Sequence, residues 1–171
     1  MNHVVRMCEL SFNPKLFEAF HCGTALDELL SSHQGLPRGV NYMIIGDPGV
    51  GKTTIILDML ANVQKRYPKA RILFVSAEMN EIDLTVYVER YPKFQTLPIL
   101  FVESDFESDV HNWEVVKEVV EQGWDIVAID SFYELQGIIK DEENIRMKDA
   151  ESWLLQLIKK QNKGQNYRHL N

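Results

Sequence analysis

Residues 46–54 read GDPGVGKTT, and the spacing of Gly46, Gly51, Lys52 and Thr53 is that of a loop built to hold phosphate. Glycine at Gly46, Gly49 and Gly51 lets the backbone approach a ligand and adopt positive φ, so that successive N–H groups point inward around an anion. Asp47, Pro48 and Val50 complete the loop that would wrap the phosphates. A helix opening at Lys52 would add the partial positive charge of its N-terminus. The Lys52 ammonium would reach the terminal phosphates and the Thr53 hydroxyl would ligate Mg²⁺. Thr54 closes the phosphate-contacting set at the first helical turn, where its side chain is expected to pack rather than coordinate.

Binding phosphate is not yet breaking it, and hydrolysis calls for acids. The apolar run WDIVAID ends in Asp130, a carboxylate at the carboxyl end of an expected parallel strand, where such sheets collect their ligands. Beside a phosphate loop that position holds Mg²⁺ through a bound water. Without the loop, Asp130 would read as the cap of the next turn. Glu78, in RILFVSAEM, stands just past another expected strand. If the strands are neighbours, Glu78 lies beside Asp130 and can orient and deprotonate a water; its plain reading is a solvated glutamate. Glu81 and Asp83 fall in the following helix and are weaker candidates.

Strand must alternate with helix to position these residues. A short apolar strand, NYMII at 41–45, leads into the loop. Residues 52–66 then form a helix with Ile55, Ile56, Met59, Leu60 and Val63 on one stripe, closed by Pro68. A β-rich run at 71–76 is followed by a helix, EIDLTVYVERY, with Ile82, Val86 and Val88 to one side. Pro92 and Pro98 punctuate a loop before a strand at ILFVE. The helix NWEVVKEVVEQ at 112–122 spaces Trp113, Val116, Val119 and Val120 along one face and stops at Gly123. A strand at 125–130, a loop, and a helix over 142–162 with Ile145, Ala150, Trp153, Leu154, Leu157 and Ile158 inward complete the order. The first 35 residues are less regular, with a short helix in TALDELLSS introduced by Thr24. Such alternation predicts βαβ units, an α/β fold with a parallel sheet flanked by helices on both faces.

The bulk numbers suit one globular domain over residues 1–171, since 171 residues at 45% hydrophobic can bury a core. Within it, 1–35 reads as a lead-in, 36–136 as the nucleotide-binding core and 137–171 as a C-terminal helix with a basic tail. No stretch has the roughly 18 apolar residues a membrane span requires, and MNHVVRMCEL lacks the build of a signal peptide, so the expectation is a cytoplasmic protein without membrane contact. Cys8 and Cys22 stand without a CxxC pair or histidine cluster, which argues against structural zinc and for free thiols. A net charge of −7 argues against a surface that grips nucleic acid throughout. Its distribution is uneven: seven acids between Glu103 and Glu121 face only Lys117, whereas IKKQNKGQNYRHLN carries Lys159, Lys160, Lys163 and Arg168 and no acid. That stretch reads first as a solvated helix end, second as a basic lobe for nucleic acid.

The runs TALDELLSSHQGLPRGVNYMIIGDPGVGKTT, LFVSAEM and WDIVAIDSFYEL resemble the RecA-like P-loop ATPases, in particular the branch of RadA/Sms, KaiC and the DnaB helicases; the likeness spans about residues 24–136. The resemblance implies ATP as substrate, ADP as product, Mg²⁺ as metal, Glu78 as catalytic base, Asp130 as the metal-holding acid and Ser131 as a phosphate-sensing hydroxyl. It also implies a homo-oligomer or other ATPase subunits as neighbours. Three departures stand against it: there is no four-cysteine zinc module, no protease-like domain and no N-terminal helical domain. In that family a further strand separates the loop's strand from the Asp130 strand and follows the latter in the chain. Here NYRHLN ends where it would begin, so the expectation is a RecA-like core lacking its last strand or strands.

Three functions compete. The first is an ATPase coupled to single-stranded DNA in repair, recombination or replication, with Phe132, Tyr133 and Lys140 after Asp130 as the nearest DNA contacts or, equally, as packing or loop residues. The second is a KaiC-like regulatory ATPase acting on protein partners, which the acidic balance suits. The third is a nucleotide-binding fragment with little turnover. A small-molecule kinase is a distant fourth, because its Arg-rich lid is missing: 137–150 holds only Arg146.

Overall fold

The computed structural model describes residues 6–9, 18–32, 34–102 and 111–167, with 161–167 as backbone alone. Glu103, Lys163 and Arg168, singled out for their charge, therefore lie outside the described residues or side chains. A small antiparallel pair, β1 (Ala19–Phe20) and β2 (Leu36–Pro37), brackets α1 (Leu26–Leu30). Then follow α2 (Lys52–Arg66), β3 (Ile72–Ser76), α3 (Glu81–Arg90), a 3-10 turn (Pro92–Phe94), β4 (Ile99–Phe101), α4 (Asn112–Glu121), β5 (Ile126–Asp130), α5 (Phe132–Glu142) and α6 (Met147–Tyr167).

The parallel sheet has three strands in the order β4-β3-β5. Central β3 is buried along its whole length, because helices cover both faces and leave no side of ILFVS for water. Alternate residues feed two cores. Ile72 and Phe74 meet Leu57, Leu60 and Val63 of α2 and Leu84 of α3, with Ile126 and Ala128 of β5 at the margin. Leu73 and Val75 meet Val116 and Val120 of α4, Leu135 and Ile139 of α5 and Leu154 of α6, with Val127 and Ile129 at the margin. Burying each such side chain stabilises the fold by about 1.5–3 kcal/mol. The α/β class with helices on both faces is thus observed.

Several expectations are corrected. Residues 41–45 form no strand: Met43 is 73% and Ile45 85% exposed, and no ladder partner flanks them among the described residues. An apolar run becomes a strand only when a neighbour satisfies its N–H and C=O groups. The expected loop after Asp130 is α5: Ser131 caps it by accepting from Glu134 N (3.2 Å), and Leu135 and Ile139, one turn apart, are fully buried. Gly137, worth roughly 1 kcal/mol against a helix, masked that pattern. Asn144 at φ 49° then breaks the chain, so the last helix begins at Met147 rather than 142. On α3 the inward face is Leu84 with Tyr87 and Val88, whereas Ile82 and Val86 are 78% and 61% exposed. On α2 Leu57 is buried and Ile55 exposed.

Residues 20–27 of the lead-in are tied down by polar contacts. Buried Asp27 accepts from Cys22 N (2.9 Å), Gly23 N (2.7 Å) and Cys22 Sγ (3.1 Å). Burial alone would raise its pKa, but these bonds outweigh it and hold the carboxyl below the usual range. Burial pushes the Cys22 thiol up, and both cysteines are free. α1 is capped at Ala25 without a side-chain bond, and Thr24, expected to introduce it, stands one residue earlier with its hydroxyl accepting from Leu26 N (3.3 Å). Arg38 lies 4.6 Å over the Phe20 ring and donates to Asp125 (2.8 Å), joining the lead-in to the start of β5.

Candidate nucleotide site

The phosphate loop occupies the turn into α2. Gly49 and Gly51 sit at φ 79° and 93°, and a Cβ at either would meet nothing within 4 Å, so the need for glycine there is conformational and the space above the backbone is open. At Gly46 the reason is contact: a Cβ would come within 3.0 Å of Val50 Cγ2. Residues 46–50, including Asp47 and Pro48, are exposed. The Lys52 ammonium arches across the loop, donating to Gly46 O (2.9 Å) and Asp47 O (3.0 Å). Those carbonyls hold it above the cradle. Thr54 is half-buried in the first turn of α2.

β5 delivers the acid to the same place. Asp130, 5% exposed at the end of the strand, accepts from Thr53 Oγ1 at 2.5 Å across 77 residues of sequence. The two groups expected to share the metal are thus neighbours. Mg²⁺ favours oxygen ligands and binds through few protein groups plus phosphate and water, which a hydroxyl and a carboxylate beside an open cradle fit. Among the described residues no group of three or more His, Cys, Asp or Glu forms a metal cage.

Glu78 follows from the sheet register. Ser76 pairs with Asp130, and Ala77 N donates to Asp130 O (2.8 Å), continuing the ladder one residue past β3. Glu78 is the next residue, exposed, on the carboxyl rim that also carries Asp130. Ser131 follows Asp130 through a cis peptide bond; its hydroxyl accepts the α5 capping bond and keeps its proton to donate.

Other expectations do not converge here. Phe132 packs into the second core, and Lys140 pairs with Asp141 near the far end of α5, on the order of 12 Å along the helix from Phe132. Tyr133, 67% exposed, is the aromatic left at the rim. Asp83 serves a capping box with Asn80, and Lys160 is paired with Glu121 (2.7 Å). Sequence reasoning passed over Ser76, buried at 1% with its hydroxyl on Met79 O (2.7 Å), and the Asn80–Asp83 box. The box was readable as N-x-x-D before an apolar run. No helix among the described residues is long and apolar enough to cross a membrane. Comparison with protein-family models, curated proteins and solved structures found no match.

Proposed function

We propose that this chain binds ATP with Mg²⁺ and hydrolyses it as a RecA-like P-loop ATPase, with single-stranded DNA as its effector. The observation that carries this reading is the 2.5 Å contact between Thr53 of the phosphate loop and Asp130 at the end of a neighbouring structural unit. A phosphate loop occurring by chance would have no reason to meet a buried acid there. Gly46, Asp47, Pro48, Gly49, Val50, Gly51 and Thr54 would line the phosphates, with Lys52 on the terminal ones. Thr53 and Asp130 would hold Mg²⁺, which when bound neutralises charge on the phosphate oxygens. Glu78 would orient a water and take its proton as the water oxygen attacks the γ-phosphorus and the bond to the bridging oxygen breaks, leaving ADP and phosphate. Ser131 would donate to the phosphate freed. Exposed Tyr133 is the stacking candidate for DNA, and a second copy or another ATPase subunit would complete the site at the open rim.

The test is the rate of ATP hydrolysis by the full chain with and without single-stranded DNA. Stimulation of about tenfold or more is expected; a rate that DNA does not move redirects the effector to a protein. A second reading, nucleotide binding with little turnover, draws on residues 41–50, which are exposed and belong to no strand ladder among the described residues. ADP affinity without measurable hydrolysis, indifferent to Glu78→Gln, would select it.

A further inference from the structure

Ser76 ends β3 fully buried, its carbonyl accepting from Val102 N (2.8 Å) on one side while the following amide, Ala77 N, donates to Asp130 O (2.8 Å) on the other. Its hydroxyl does neither ladder's work. It reaches forward to Met79 O (2.7 Å) and closes the turn that contains Glu78. Beyond the turn Asn80 Oδ1 accepts from Asp83 N (3.0 Å) while Asp83 Oδ2 accepts from Asn80 N (3.3 Å), fixing where α3 begins. Met79 itself packs against the first core.

The backbone around Glu78 is therefore tied before, across and after it, while the Glu78 side chain is exposed and takes part in none of these ties. A turn that needed only to connect a strand to a helix would not require all of them. The plain account of Ser76, a buried hydroxyl satisfying itself, explains one bond but not why it spans the residue that follows the Ala77–Asp130 ladder bond.

We infer that Ser76 is a positioning residue for Glu78: its hydroxyl, with the Asn80–Asp83 box as the outer brace, fixes the glutamate's backbone relative to Asp130. The inference rests on the reading of Glu78 as the proton acceptor. Misplacing a reacting group by about 1 Å can cost on the order of a hundredfold in rate. Ser76→Ala in the full chain is thus expected to lower kcat roughly ten- to a hundredfold with KM and ADP affinity within about twofold, since Lys52 and Thr53 are untouched. Amide exchange at 77–80 should rise with exchange at 51–54 unchanged. Because a buried variant can fail to fold, the exposed brace supplies a second arm: Asn80→Ala lowers kcat with KM retained, and Asn80→Asp, which keeps the acceptor, restores it.

Normal kcat in Ser76→Ala, or kcat lost only in step with ADP affinity or folded fraction, overturns the inference; so does an Asn80→Ala defect that Asn80→Asp leaves in place. Glu78→Gln separates the two levels. If it abolishes turnover while Ser76→Ala does not, only the positioning role falls. If Glu78→Gln turns over like the parent chain, or the parent chain does not turn over, the proposed function falls and the positioning role with it.

Discussion

The two halves of the candidate site are built in opposite ways. Asp130 and the turn to Glu78 hang from a parallel ladder buried on both faces, where β3 is covered end to end. The phosphate loop joins no ladder among the described residues: residues 40–50 are exposed, Tyr42 donates to Leu30 O (2.7 Å) before the loop, Lys52 donates across it to Gly46 O and Asp47 O, and Thr53 in the first turn of α2 meets Asp130. The acids are thus placed by the sheet, whereas the cradle is placed by one helix and separate side-chain hydrogen bonds. Rigidity should differ accordingly, because local stability follows buried apolar contact and satisfied backbone.

The largest break expected is Phe74→Ala, at a fully buried ring in β3, which should cost about 3–5 kcal/mol in denaturant unfolding, while Ile45→Ala on the exposed side stays within about 0.5 kcal/mol. Equal losses would mean that the two halves are equally packed. Next in size, Lys52→Ala should weaken ATP more than about a hundredfold by calorimetry at unchanged melting temperature, since the proposed function puts this ammonium, held over an exposed loop, on the terminal phosphates. Retained affinity would remove the loop from the site. Asp27→Ala strips the acceptor from two backbone amides in the lead-in and is expected to cost about 1–3 kcal/mol.

The Asp27 carboxyl titrates lower folded than unfolded, so its contribution is present above the ordinary carboxylate pKa and is lost as pH falls through the depressed one. In an acid titration followed by circular dichroism, Asp27→Asn should flatten that limb. The smallest effect belongs to His111, whose pKa is raised by its hydrogen bond to Glu143 (2.7 Å). That pairing is fully present below the ordinary histidine pKa and is lost as pH rises through the raised one. Glu143→Gln should lower the His111 titration, followed by NMR, toward the ordinary value, with Glu142 and Glu114 still raising it.

Legibility from sequence follows the same division. The loop, α2 to its terminal residue, and the neighbouring strands ending in Ser76 and Asp130 were readable because their signals are local: fixed glycines, a helical stripe, unbroken apolar runs. The 41–45 run was as apolar as a strand, but strand formation is a property of pairs, and its partner is not encoded within the run. α5 was hidden by Gly137 and by an aromatic opening that reads as loop, although Ser131 with Leu135 and Ile139 carries the cap and the stripe. The face of α3 went wrong because Ile82 and Val86 are spaced like a core stripe; which stripe turns inward was decided by where Leu84 meets α2 and the 3-10 turn. Ser76 could not be assigned from its letter, since its role depends on a bond three residues forward and a register partner 54 residues on.

The contact between Thr53 and Asp130 also has a kinetic meaning. They stand 77 positions apart in sequence with β3, α3, β4 and α4 between them, so the pair proposed to hold the metal assembles only with the sheet. Closing so long a loop is entropically affordable, since the cost grows only with the logarithm of length, but it is a late, non-local event. During refolding, magnesium-dependent nucleotide affinity would therefore follow pairing of β3 with β5, and the chain would become competent for metal only once its core is in register.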